Sequence, residues 1–238
     1  MVYVPGAALM TLVARLFPLR VPPFVNLSRE VLRRRYRAWD WFGVAIFLVT
    51  IVPAVYGVHD ALLRYARSQV PAAEGAVHVV VPAADFWYVP ASFIAVILTC
   101  VLVGVVYRVV LRRRPREYRF ASNVTAGFDA SRMFVVAGVV FGVAAMGLAY
   151  FAAHSSLQLT RDAIVMRRLW SLHDERYPYA SVRALREVPS DDGRTVHFVI
   201  ELDGARPWTT AVEIVFPDEA AKEFLSRRSG RAISAAPH

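Results

Sequence analysis

The residues that most often carry out chemistry in proteins are scattered along this chain of 238 residues. No two of its six histidines have the spacing of metal ligands, and the densest polar cluster, His173-Asp174-Glu175, is typical of a solvated hairpin tip. The single cysteine, Cys100, lies in an apolar segment, as a small apolar filler does. The sequence has no His-Glu-x-x-His helix, no glycine-rich phosphate loop and no nucleophile elbow. We therefore predict that the protein is not an enzyme and that it uses no metal and no cofactor.

Aromatic and arginine side chains in the last third of the chain are the candidates for binding a partner, because these types dominate interface hot spots. They are Trp170, Arg167, Arg168, Tyr177, Tyr179 and Trp208. Trp170 is the strongest candidate, since it precedes the polar run Ser171–Arg176 and is predicted to lie near a hairpin tip. For the other aromatics a core position is favoured, because large side chains must fill a small β domain.

A second set of candidates consists of arginines that flank apolar segments and could contact anionic lipid, at about 1 kcal/mol each. They are Arg33, Arg34, Arg35, Arg37, Arg112, Arg113, Arg114 and Arg116. The net charge of +9 lies entirely before Ser155, beside these apolar segments, and the remainder is neutral. This distribution argues against nucleic-acid binding and favours a role of the arginines in membrane topology, with specific lipid contacts as the alternative.

Three long stretches of the chain carry no charged residue: Trp41–Val58, Val89–Tyr107 and Met133–Ala153. Each is close to the roughly 20 residues that a helix needs to cross about 30 Å of hydrocarbon. The sequence therefore predicts three transmembrane helices within residues 28–154. Gly138 and Gly142 form a Gly-x-x-x-Gly motif in the third stretch, which favours packing against the chain's own spans, with homo-oligomerisation as the alternative.

The distribution of arginine predicts how the chain is oriented. Arginines precede the first stretch and cluster between the second and third, whereas the His59–Trp87 connection holds only Arg64 and Arg67. By the positive-inside rule the N-terminus faces the cytoplasm, and the part after His154 lies on the outer side of a bacterial inner membrane. Residues 1–27 are predicted to form an interfacial arm, with a fourth span or a mis-assigned start codon as alternatives.

After His154 the pattern changes to short alternating runs separated by turns such as Asp203-Gly204. Pro217-Asp218-Glu219 then begins a helix that Gly230 can end. Residues 155–230 are thus predicted to form six or seven strands followed by one helix, and residues 231–238 to form a tail. Within the His59–Trp87 connection, Val77–Val81 is predicted to be extended and Asp60–Ser68 to be a short interfacial helix.

Two motifs in this domain resemble the bacterial pleckstrin-homology-like (bPH) domain. They are Leu159-Thr160-Arg161-Asp162-Ala163-Ile164-Val165-Met166-Arg167-Arg168, with a strand, an acidic turn and a second strand, and Tyr177-Pro178-Tyr179-Ala180-Ser181-Val182. The resemblance implies a bent β-barrel closed at one end by the C-terminal helix, with Phe224 and Leu225 as the plug. Three spans before such a domain are also similar, in architecture alone, to photosynthetic-complex assembly proteins.

The sequence thus predicts an α-helical membrane anchor of three transmembrane helices and a C-terminal β-rich PH-like barrel with a capping helix. The expected function is a non-catalytic membrane protein whose module binds a protein or lipid partner, in assembly, scaffolding or envelope maintenance. Its expected partners are membrane lipids and another membrane protein or complex. The alternative is an accessory subunit of a transporter or channel, although the spans lack the polar stripe that transport requires.

Overall fold

The structure is a computed structural model that describes residues 4–19, 29–70, 73–112, 115–190 and 195–235. Three of its helices are long and apolar enough to cross a membrane, as the sequence predicts. They are α2 (Arg29–Gln69), α3 (Tyr88–Val110) and α5 (Ala130–His154). Two further helices in the first two thirds of the chain are α1 (Val4–Leu16) and α4 (Pro115–Ala126).

The first of these long apolar helices, α2, is longer than predicted. The segment Asp60–Ser68, expected to be a separate interfacial helix, continues α2 without interruption, and Pro53 lies inside the same helix. Ser28, whose residue type favours an N-cap before α2, and Asp191-Asp192-Gly193, whose residue types favour a turn, lie outside the described residues. Residues Val4–Leu16, expected to form an interfacial segment, are helical.

The chain divides into two compact units that both include parts of the long helices. The first unit comprises Met1–Val58 and Ser92–Ala145, and the second comprises His59–Ala91 and Met146–His238. The end of α2, the start of α3 and the end of α5 therefore belong to the same unit as the β domain.

The β domain of the second unit contains two four-stranded sheets. The first has the order β1-β2-β3-β4, in which every neighbouring pair is antiparallel. Its strands are β1 (Ala76–Val80), β2 (Ser156–Thr160), β3 (Ala163–Arg167) and β4 (Glu175–Pro178). The predicted extended segment Val77–Val81 thus forms most of β1, and it supplies an edge strand to a sheet whose other members lie after His154.

The second sheet has the order β7-β6-β5-β8. Strands β5 (Val182–Pro189), β6 (Val196–Leu202) and β7 (Trp208–Thr209) pair antiparallel, whereas β8 (Ile233–Ala235) pairs parallel with β5. Residues that the sequence assigns to a tail therefore complete this sheet. Short helix α6 (Thr210–Glu213) follows β7, and α7 (Glu219–Ser229) confirms the predicted C-terminal helix.

The predicted ends of α7 are confirmed in their chemistry. The Asp218 carboxylate accepts a hydrogen bond from the Ala221 N–H at 2.8 Å, as an N-cap does, and Gly230 ends the helix with φ 67°. Leu225 and Ala221 are buried in the core between the sheets, while Phe224 packs against that core and remains partly accessible. No ladder joins the two sheets among the described residues, where a single bridge links Pro82 to Val215, so the barrel is not closed.

Candidate partner-binding surface

A small apolar cluster in the second unit joins the β domain to the helix ends, and we call it the junction cluster. It consists of Ala66, Trp87, Ala149, Ala152, Ala153 and Leu169, with Leu62, Leu63, Phe86, Phe151 and Ile214 packed around it. Trp87 is fully buried here. Small residues on the last turns of α5 make room for its ring. The domain is therefore packed directly onto the helix ends.

The connection between α5 and β2 is very short. Only Ser155 separates them, and both its side-chain hydroxyl and its N–H donate to the carbonyl of Ala152, at 3.0 and 3.2 Å. Ser155 is fully buried. A linker of one fixed residue leaves β2 little freedom relative to the end of α5.

The turn after β3 carries the strongest sequence candidate. Trp170 is 64% exposed and Leu172 is 48% exposed. The indole of Trp170 lies against the ring of Phe151 on α5, with centroids 5.4 Å apart. We call the segment from Trp170 to Leu172 the Trp170 tip. Trp170 thus lies near the tip of the β3–β4 hairpin, as the sequence predicts, and partner binding at this tip stays a prediction.

The arginines beside the Trp170 tip are engaged within the domain. Arg167 donates to both carboxylate oxygens of Asp174, at 2.7 and 3.0 Å. Arg168 donates to Glu175 at 2.9 Å, to Glu213 at 3.3 Å, and to the carbonyls of Arg206 and Pro207 at 2.7 and 3.3 Å. Neither guanidinium is directed outward as a separate binding group.

The Arg168 network holds three segments together. Burial lowers the pKa of the Arg168 guanidinium, but hydrogen bonds and charges from Glu175 and Glu213 outweigh it, and the pKa is raised overall. Glu213 is buried and also accepts the N–H of Leu169 at 2.7 Å. Sequence reasoning missed Glu213, since a lone acidic residue in an alternating segment gives no signal of burial. This network fixes the base of the Trp170 tip.

The remaining aromatic candidates lie inside the domain or along its edge. Trp208 and Tyr179 are buried in the core, and the Tyr179 hydroxyl donates to the Thr160 carbonyl at 2.7 Å. Tyr177 is partly buried and donates to Glu175 at 3.1 Å. The rings of Trp208 and Tyr179 therefore offer no surface to a partner, because a small domain fills its core with its largest side chains.

The arginine candidates of the first unit lie near a helix pair that the sequence did not predict. Helix α4 packs on the start of α2 through Leu32, Tyr36 and Ala121. Its Tyr118 donates to Asp40 at 2.9 Å. Burial, followed by hydrogen bonds with Tyr107 and Asp40, raises the pKa of the Tyr118 phenol. The connection between the second and third apolar stretches is thus largely helical.

The lipid-contact candidates occupy different positions in this unit. Arg33, Arg34 and Arg37 line an open groove of about 550 Å³ together with Glu30, Asp40, Trp41 and Thr125. Arg35 instead forms an ion pair with Glu117 at 2.9 Å. Arg112 and Arg116 are exposed, whereas Arg113 and Arg114 lie outside the described residues. Because the groove contains two carboxylates, its charge is mixed rather than purely basic.

A second groove in the first unit lies between α3 and α5 and has a volume of about 810 Å³. Its walls are almost wholly apolar and include Phe93, Cys100, Phe134, Gly138 and Phe141. A Cβ at Gly138 would meet no atom within 4 Å, whereas one at Gly142 would lie 3.1 Å from Ile97 Cδ1. Gly142 therefore serves packing within the chain, as the sequence favours, while Gly138 opens onto the groove.

Among the described residues no three His, Cys, Asp or Glu side chains are grouped so that they could hold a metal ion. Comparison of the chain with known protein families, curated proteins and solved structures finds no match. The proposals below therefore rest on the geometry of the chain itself.

Proposed function

We propose that this chain is a non-catalytic integral membrane protein that acts as an assembly or scaffolding factor by binding another membrane protein. Helices α2, α3 and α5 anchor it in a bacterial inner membrane, with the N-terminus in the cytoplasm and the β domain outside. The domain is proposed to be PH-like, supported by its two sheets and its C-terminal helix. It departs from that pattern in the added strands β1 and β8 and in its open barrel.

The pairing of β1 with β2 supports the three-span arrangement. Strand β1 comes from the connection between α2 and α3, and β2 follows α5. Two segments that share a ladder must lie on the same side of a bilayer, because an unpaired strand cannot lie in hydrocarbon. The two crossings between β1 and β2, by α3 and α5, meet this requirement.

The observation that carries the proposal of a membrane partner is the apolar groove between α3 and α5. The spans bury few of their own side chains: within the most apolar windows of α2, α3 and α5, 6%, 22% and 11% of residues are buried. Gly138 leaves the groove floor open to a close approach by another backbone. Helices associate in membranes through such small residues, because close packing replaces the hydrophobic effect as the driving force. A helix of a partner protein therefore fits this groove.

The test fills the groove and asks whether a partner is lost. Gly138→Leu should reduce co-purification of the partner from mild detergent at least fivefold, because the leucine side chain occupies the groove. Gly147→Leu is the matched control, since Gly147 lies on the same helix, also has open space at its Cβ, and does not line the groove. Equal partner yields for both variants would contradict the proposal.

Photocrosslinking in native membranes provides an independent readout. A benzophenone side chain at Phe134, in the groove, should give one discrete protein adduct, whereas the same group at Val49 on α2 should give none. Both positions are strongly exposed, at 64% and 75%. Identical adduct patterns from the two positions would show that the groove selects no protein.

A further inference from the structure

We infer that the Trp170 tip enters the interfacial layer of the bilayer that holds the protein's own spans, so that lipid headgroups cover Trp170 and Leu172. The inference rests on the proposed membrane anchoring and assigns a ligand to the surface that the sequence singled out for partner binding. The ligand class is the lipid–water interface of the outer leaflet.

Phe151 lies near the outer end of the third proposed span. Arg132 is the last charged residue before the uncharged stretch, which His154 follows. At a rise of about 1.5 Å per residue, Phe151 lies about 28 Å from Arg132 along the helix axis. The hydrocarbon core is about 30 Å thick, so Phe151 lies at its outer boundary. A ring that contacts Phe151 is therefore at the depth that tryptophan favours.

Contacts on both sides of the Trp170 tip hold it in one conformation. Leu169 is buried in the junction cluster, and its N–H is bound by the Glu213 carboxylate. On the other side, the Ser171 hydroxyl accepts the His173 N–H at 3.2 Å and donates to the His173 carbonyl at 3.3 Å. These contacts close the turn and leave the Trp170 and Leu172 side chains exposed. The tip is thus held in an exposed conformation before it meets its ligand, which lowers the entropy cost of binding.

The surroundings favour lipid over a protein partner. On α5, whose Phe151 the Trp170 ring contacts, Met146 and Tyr150 are 66% and 43% exposed. Of the nearby arginines, Arg167 and Arg168 are already bound to Asp174, Glu175 and Glu213. An amphipathic indole beside lipid-facing side chains is the arrangement found in interfacial aromatic belts.

Site-directed spin labelling of the full chain tests this inference. In a Cys100→Ala background, a nitroxide at Leu172→Cys is compared with one at Val196→Cys, which is exposed at the start of β6. A second label at Ser171→Cys repeats the test at a position that buries less apolar surface. The protein is reconstituted alone into nanodiscs of phosphatidylethanolamine and phosphatidylglycerol. Collisions with O2, which concentrates in hydrocarbon, are then compared with collisions with a water-soluble nickel chelate.

We expect the ratio of O2 to nickel collisions at Leu172 to exceed that at Val196 by at least threefold, with Ser171 between them. Equal ratios at Leu172 and Val196 would overturn the inference while leaving the membrane anchor intact. A label at Leu172 that is shielded from both reagents would also overturn it, because protein would then cover the tip. Failure of the chain to enter nanodiscs at all would instead overturn the proposed anchoring, and the inference with it.

Discussion

Gln158 on β2 accepts a hydrogen bond from the backbone N–H of Ala73 at 2.6 Å, although the long helices α3 and α5 lie between the two residues in the chain. Ala73 precedes β1, and Gln158 itself lies opposite Val79 in the β1–β2 ladder. The buried Gln158 side chain thus ties the connection between α2 and α3 to the domain that follows α5. The β domain is completed by a segment distant in sequence.

We expect Gln158→Leu to lower the stability of the domain by about 1–3 kcal/mol, because it leaves the Ala73 N–H without this partner. The measurement is the protease sensitivity of residues 70–82 in the detergent-solubilised protein as urea increases. Val79→Thr is the control, since Val79 is 41% exposed and Thr keeps both its shape and its β propensity. A Gln158→Leu protein as resistant as the control would contradict the role given to this hydrogen bond.

Trp87 and Trp170 should respond oppositely to truncation. Trp87→Ala should cost about 3–5 kcal/mol and strongly reduce membrane expression, because Trp87 is fully buried in the junction cluster. Trp170→Ala should leave expression intact and cost less than about 1 kcal/mol, since its indole is mostly exposed. Fluorescence-detected size-exclusion chromatography after heating measures both. If Trp170→Ala also loses expression, the tip belongs to the core.

Neighbouring residues on α7 provide a third comparison. Leu225→Ala should cost about 2–5 kcal/mol, because Leu225 is buried between the sheets. Phe224→Ala should cost less than the 3–5 kcal/mol of a fully buried phenylalanine, since Phe224 lies at the edge of the core, where its ring is 5.2 Å from that of His78. Thermal unfolding of the two variants gives the order. The reverse order would place Phe224, rather than Leu225, as the plug.

The alkaline stability of the domain should depend on Tyr179. Burial raises the pKa of its phenol to about 12, so the folded state keeps a proton that the unfolded state loses from about pH 10. The free energy of unfolding should therefore be undiminished below about pH 10 and fall between pH 10 and 12. Tyr179→Phe should flatten this slope, whereas Tyr65→Phe, at an exposed position on α2, should leave it unchanged. Unfolding by urea at pH 9 and pH 11 measures both slopes, and equal slopes for Tyr179→Phe and the unchanged protein would contradict the assignment.

A topology reporter tests the orientation. A reporter fused after Gly230 should be active in the outer compartment, because the arginines of the chain flank the inner ends of the proposed spans. The same reporter inserted after Ala126, at the end of α4, should be active in the cytoplasm. Cytoplasmic activity of the Gly230 fusion would refute the proposed orientation of the β domain.

The sequence alone determined the three long apolar helices. A stretch such as Met133–Ala153, with no charge over about 20 residues, has few stable alternatives to a membrane-crossing helix. Local chemistry also predicted α7, because Asp218 and Gly230 act on backbone groups within one turn of themselves. The place of Trp170 near a hairpin tip followed in the same way, from the polar run that comes after it. Each of these features depends on residues close together in the chain.

Only the tertiary structure decided which segments meet. Val77–Val81 was recognisable as extended, but a strand's partner depends on residues far along the chain, and β2 could not be assigned to it from periodicity. The burial of Trp87 depends likewise on the small residues Ala149, Ala152 and Ala153 that α5 places against it. Glu213 is buried because Arg168 and the Leu169 N–H satisfy its carboxylate. Such contacts are fixed by packing in three dimensions, which a one-dimensional pattern does not contain.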